Sequence, residues 1–167
     1  MSRSGYIEEI DDYEGELRAR MWRGAVLSAL RGKRGQAFLR ELLAALDAMP
    51  VKELVAGALE EDGQHCALGV VGQARGKQLA SIDTDDWEQL ACEFGIAEAM
   101  AREVMYENDA CVSGVTWIDF EVCGPIRPNY PDWGRHRRTI AVPDPLADEK
   151  RWHHMRAWVL QHIKDEA

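Results

Sequence analysis

GELRARMWRGAVLSALRGKRGQAFLRELLAALDAMP (residues 15–50) is the stretch on which the fold turns. From about Glu16, the apolar residues Leu17, Met21, Trp22, Ala25, Val26 and Leu30 recur at helical spacing. The RGKRG run (31–35) follows, and Gly32 and Gly35 are expected to break that helix. A second helix is predicted over QAFLRELLAALDAM (36–49), with Phe38, Leu39, Leu42, Leu43 and Leu46 on one face and Pro50 as its stop. Two amphipathic helices joined by a short Gly-rich turn make an αα-hairpin.

The same stretch carries an unusual charge pattern. Residues 17–40 hold Arg18, Arg20, Arg23, Arg31, Lys33, Arg34 and Arg40 and no acid, in a chain whose net charge is −9. Residues 1–16 hold six acids against Arg3, and residues 81–110 hold nine against Arg102. A net negative charge excludes broad coating of nucleic acid. It leaves two readings of the basic block: a focused surface for an anion or partner, or one half of an internal pairing with residues 81–110.

Working outward, Asp62-Gly63 between two short apolar runs suggests a β-hairpin, with a helix over 51–60 as the other reading. CALGVVGQARG sets Gly69, Gly72 and Gly76 at near-helical spacing, as in a tightly packed buried helix. It lacks the G-x-G start of a dinucleotide fingerprint. DTDDWEQLACEFG (83–95) opens with capping side chains, and AEAMAREVMYEND continues as a further helix. CVSGVTWIDFEV (111–122) and HRRTIAVP (136–143) read as strands, and a final helix runs from about Ala147 to Lys164 with Trp152, Met155, Val159 and Ile163 on one face. The expectation is a single domain over 1–167, α+β but predominantly helical: a helical hairpin and further helices packed with a small antiparallel β element. Residues 1–13 are expected to be a loose acidic N-terminus.

Chemistry is expected first at RGKRG. Exposed backbone N–H groups and a helix N-terminus favour anions there, with Arg31, Lys33 and Arg34 as direct contacts and Arg23 and Arg40 flanking them. It is not a Walker A loop, because the G-x-x-x-x-G-K-[ST] order is absent. A second candidate patch is GPIRPNYPDWGRHRR, where Tyr130, Trp133 and His136 interleave with Arg127, Arg135, Arg137 and Arg138, a mixture suited to a base or a protein hot spot. DDWEQLACEFGIAEAMAREV has the layout of a DNA-binding helix-turn-helix, although its second helix would present Glu98, Glu103 and Glu107 with only Arg102 basic.

Neither HxxxH nor HExxH occurs among His65, His136, His153, His154 and His162, so no metal and no cofactor are expected. His153 and His154, adjacent on a helix, point apart. Cys66 and Cys92 read as small buried hydrophobes, and Cys111 and Cys123 bracket a strand. Cys66 beside His65 is the only nucleophile candidate, without an identifiable orienting acid. The chain lacks any apolar run near the roughly 20 residues that cross a bilayer, and MSRSGYIEEIDDYEGE lacks a signal-peptide core, so a soluble cytosolic protein is expected.

MSRSGY, MWRGAV, RGKRGQAFLRELLAALDAMP, CALGVVGQARG, FGIAEAMAREVMYEND, GPIRPNYPDWGRH and the closing RW-x-x-MRAWV together resemble a family of small uncharacterised proteins of tailed phages and prophages of Gram-negative bacteria. The resemblance spans nearly the whole chain. It carries no established activity and implies an accessory protein working in the host cytoplasm during infection or lysogeny. By analogy with other small phage proteins, the expected role is non-catalytic binding of a host or defence-system protein or nucleoprotein complex. A helix-turn-helix regulator, or a nucleotide-sequestering protein using RGKRG with Trp133 or Tyr130, stands as the alternative.

Overall fold

The computed structural model describes residues 4, 6, 13–121 and 137–164. They form α1 (Tyr13–Arg31), α2 (Lys33–Ala48), β1 (Glu60–Glu61), β2 (Gln64–His65), α3 (Ala67–Ala74), a 3-10 turn (Leu79–Ser81), α4 (Trp87–Phe94), α5 (Glu98–Asp109), β3 (Val115–Glu121), β4 (Arg137–Pro143) and α6 (Ala147–His162). The fold is α+β and predominantly helical. No described helix is long and apolar enough to cross a membrane. The chain divides into two compact units, Met1–Val112 with Asp148–Ala167, and Ser113–Ala147.

In the first unit the apolar stripes of the helices converge on one core. Leu39, Leu42 and Leu46 of α2, Val71 of α3, Leu90 of α4, Met100 and Val104 of α5 and Met155 and Val159 of α6 are all fully enclosed. Each such side chain contributes about 1.5–3 kcal/mol by leaving water. Two tightly held polar groups fix α5 and α6 against the loop before β1. Asn108, buried on α5, donates to the Val55 carbonyl (2.8 Å) and accepts from the Ala67 N–H (3.0 Å), so it supplies the cap that α3 lacks from its own Cys66. Arg151, buried on α6, donates to the Leu54 carbonyl and to Asp148, both at 2.6 Å.

Local chemistry sets the turns. Asp62 (φ 51°) and Gly63 (φ 79°) take the paired left-handed conformation that a two-residue hairpin requires, and they set Glu60 opposite His65. Asp86 caps α4 by accepting from the Gln89 N–H (2.9 Å). Gly95 (φ 69°) ends it, with its own N–H on Cys92 and the Ile96 N–H on Ala91, a Schellman closure that delivers the chain into α5.

The second unit is an antiparallel ribbon in which Val115 faces Pro143 and Glu121 faces Arg137. Thr139 donates to Asp119 across it (2.6 Å). Trp117 stays two-thirds exposed.

Several expectations change. Only Gly32 interrupts the helices of RGKRG; Gly35 lies inside α2 because α1 crosses there so closely that a Cβ would sit 2.0 Å from the Ala29 carbonyl oxygen. Gly69 and Gly72 do belong to a buried α3, but Gly76 lies beyond its end. Residues 51–59 are neither helix nor strand. Cys66 is buried as expected, whereas Cys92 is exposed, on the outer side of α4. Of the N-terminal 1–13 stretch, Tyr13 opens α1, and the other two described residues pack: Ser4 is fully buried and Tyr6 meets the rings of Trp22 and Tyr106.

Candidate functional site

α1 and α2 meet at a one-residue elbow. Gly32 adopts an extended conformation (φ −70°, ψ 157°), and its N–H closes α1 on the Ser28 carbonyl (3.0 Å). Gly35 then lets α2 lie tight against α1, as no other residue would. The elbow is pinned from below by Gln36. Its buried amide donates to the carbonyls of Leu30 and His162 (both 2.8 Å) and accepts from the Lys164 N–H (2.8 Å). This bond set ties the C-terminal end of α6 to the elbow.

Arg31, Lys33 and Arg34 are therefore carried outward on a rigid base, and all three are exposed. Among the described residues none of them forms an ion pair, and neither does Arg23, about 12 Å back along α1 at 1.5 Å per residue. Arg31 sits in the last turn of α1, where the helix dipole favours a cation. Lys33 and Arg34 occupy the first turn of α2, which contains no acid and has no side-chain cap. There the dipole disfavours them, by about 0.3–1 kcal/mol each.

Arg40 plays a different part. Its guanidinium donates to the Gln36 and Lys164 carbonyls (3.3 and 3.1 Å), which makes it a fastener of the elbow rather than an open contact. Lys164 is the residue that sequence reasoning missed. Its ammonium reaches the Arg31 carbonyl (3.1 Å) and adds a further cation to the elbow. No spacing signal joins residues 133 positions apart.

Beside the elbow, Arg34, Phe38, Glu41, Arg75, Glu93 and Phe94 line a groove of about 340 Å³. Arg75 is clamped there by both Glu41 oxygens (2.7 and 2.6 Å) and by the Phe94 carbonyl (2.9 Å), and the guanidinium holds the Glu41 carboxyl below its usual range. With Glu41 and Glu93 in its wall, the groove is mixed in charge and poorly suited to a phosphate.

Residues 81–110 do not supply the internal partners that the charge pattern allowed. Glu93 pairs with Lys77 (2.6 Å), Glu107 with His154 (2.7 Å) and Glu98 with Arg102 (3.4 Å). The Arg102 guanidinium lies over the rings of Trp22 and Trp87 (4.3 and 4.1 Å to the ring centres), with its Nε donating to the Ser4 carbonyl (2.7 Å). The Tyr6 hydroxyl donates to Glu103, whose carboxyl burial pushes above its ordinary range.

The second patch cannot be assembled in the same way: Arg127, Tyr130, Trp133, Arg135 and His136 lie outside the described residues. Arg137 and Arg138 begin β4, and the described backbone places no more of them than that. For the Cys66–His65 pair, the thiol is buried and His65 faces Glu60 (3.8 Å) instead. His153 and His154 do diverge, toward Glu149 and Glu107. Cys111, just past α5, lies beside Glu107 and His154. Burial and Glu107 push its thiol up to about 12. Comparison with family models, with curated proteins and with solved structures found no match, so function rests on this geometry.

Proposed function

We propose that the chain is a non-catalytic binding protein that docks the acidic surface of a partner protein onto the α1–α2 elbow through Arg31, Lys33, Arg34 and Lys164. One observation carries this reading. Lys33 and Arg34 stand exposed and without ion pairs among the described residues, at the positive end of a helix, where they oppose folding. Cations in such a place are accounted for by a partner and not by stability. A compact cluster of this size matches a discrete group of carboxylates, and the net charge of −9 disfavours an extended run of phosphates. The phage resemblance supplies the setting: a host or defence-system protein in the host cytoplasm.

A DNA-binding regulator built on residues 87–107 has weaker support. On α5, Ala99, Met100, Ala101, Val104, Met105 and Asn108 face the core, and Arg102 is held by two indoles. A nucleotide site would need Trp133 or Tyr130, which lie outside the described residues.

The test is affinity capture from host lysate with the wild type and with an R31E/K33E/R34E variant whose fold is checked by circular dichroism. A partner retained by the wild type, released by salt and absent with the variant supports the elbow as the site. An identical captured set with both proteins overturns it. Binding of duplex DNA at low salt that survives the triple reversal transfers the function to another surface.

A further inference from the structure

The geometry points to a divalent transition-metal site, of the kind that takes Zn(II), built by Glu107 and Cys111 at the end of α5 and His154 on α6. Their candidate ligand atoms, a carboxylate oxygen, Sγ and an imidazole nitrogen, all lie within 4.8 Å of one another. This is independent of the elbow and of the partner proposed for it.

Glu107 and Cys111 are four positions apart, about one helical turn in sequence, although only Glu107 lies within α5. α5 itself ends at Asp109, but Ala110 keeps a helical conformation (φ −100°, ψ −24°) with its N–H on the Tyr106 carbonyl (2.8 Å). Cys111 follows directly, with its Sγ within 4.8 Å of the Glu107 carboxylate. His154 arrives from the other side, on a helix whose position is set by the burial of Trp152, Met155 and Val159 and by the Arg151 bond to Leu54. Two helices locked into one core thus set Glu107 and His154 before any ion binds, and Cys111 follows α5 by two residues.

The donor chemistry selects the ion. A sulfur together with an imidazole suits zinc or cobalt and not magnesium or calcium, which take oxygen ligands. Tetrahedral bonds of about 2.0–2.3 Å place ligand atoms roughly 3.3–3.6 Å apart. The Glu107–His154 pair, now 2.7 Å apart, must open a little, and no pair of donors is separated by more than 4.8 Å. Side-chain rotation suffices, because His154 is one-third exposed and Cys111 is exposed. Glu103, one turn before Glu107, adds negative charge that favours a cation. Three protein donors leave a fourth position for water or for a donor from another molecule. On binding, the Cys111 S–H gives its proton to solvent and the thiolate bonds the metal.

The experiment titrates the full-length, reduced, chelator-treated protein with Co(II), followed by absorption, and with Zn(II), followed by calorimetry. The expected result is one metal per chain and a sulfur-to-cobalt charge-transfer band. That band disappears in C111S and persists in C92S. H154A weakens Zn(II) at least about tenfold and H153A does not, since loss of a direct ligand exceeds the effect of outer-shell changes. Cys111 and His153 are exposed, so their replacements leave the fold intact; retained melting of each variant in chelator confirms this. A cobalt complex without the sulfur band, a band that survives C111S, or unchanged Zn(II) affinity in H154A overturns the site.

Discussion

Two regions of the molecule handle arginine in opposite ways. At the α1–α2 elbow, Arg31, Lys33 and Arg34 project into solvent without ion pairs among the described residues. On α5, Arg102 is held in: its side chain is 14% exposed, it lies over the rings of Trp22 and Trp87, and it hydrogen-bonds to Glu98 and the Ser4 carbonyl. The difference teaches that a charge block in a sequence does not pair with the opposite block simply because both exist. The acids of residues 81–110 find neighbours in Lys77, Arg102, His154 and Tyr6. Among the described residues Arg31, Lys33 and Arg34 of the basic block form no ion pair, whereas Arg20 pairs with Glu16 and Arg40 fastens the elbow. One lone cation among acids became structural, and the run of cations became surface.

The contrast breaks most sharply at Gly35. Substitution to Ala places a Cβ 2.0 Å from a backbone oxygen that cannot step aside, so α1 and α2 must separate. A loss of about 3 kcal/mol is expected from overpacking, read as a lower denaturant midpoint, and the elbow cations lose their common base. A melting curve that matches the wild type would show that α1 crosses α2 elsewhere.

Arg102→Ala tests the other side of the comparison. Removing a guanidinium that lies over two indoles and is bonded to a buried carbonyl should cost about 2 kcal/mol. Because Ser4 is one of its partners, the same variant should speed proteolysis at the N-terminal end. A surface arginine would give neither effect.

The smallest effect sharpens the comparison by its sign. Lys33→Gln and Arg34→Gln remove charges from the disfavoured end of α2, so stability should rise by about 0.5 kcal/mol, as the helix dipole requires. Arg31→Gln, at the favoured end of α1, should lower it slightly. Equal effects at the three positions would show that the dipole does not govern the elbow.

The legible part of the fold was the periodic part. Leu39, Leu42 and Leu46 at helical spacing, Asp62-Gly63 between short runs, and the β-branched residues from Val115 announce their elements because each pattern is local. Gly35 was misread for the same reason: a glycine that ends a helix and one that admits a neighbouring helix look alike until the neighbour is in place. At the candidate sites, Arg31, Lys33 and Arg34 could be named from charge alone. Lys164 could not, nor could His154 beside Cys111, since each is brought in by α6 from more than forty residues away.

The sequence by itself determined that helices would dominate, where most of them lie, and that the positive charge would be concentrated in one block. Tertiary structure alone decided which charges were consumed. The packing of α5 laid Arg102 against Trp22 and Trp87, the crossing at Gly35 turned the elbow cations outward, and the docking of α6 set His154 against Glu107 and Lys164 against Arg31. Local propensity reaches only a few residues along the chain, and a charge acquires its partner only when packing has fixed what lies within a few ångströms of it.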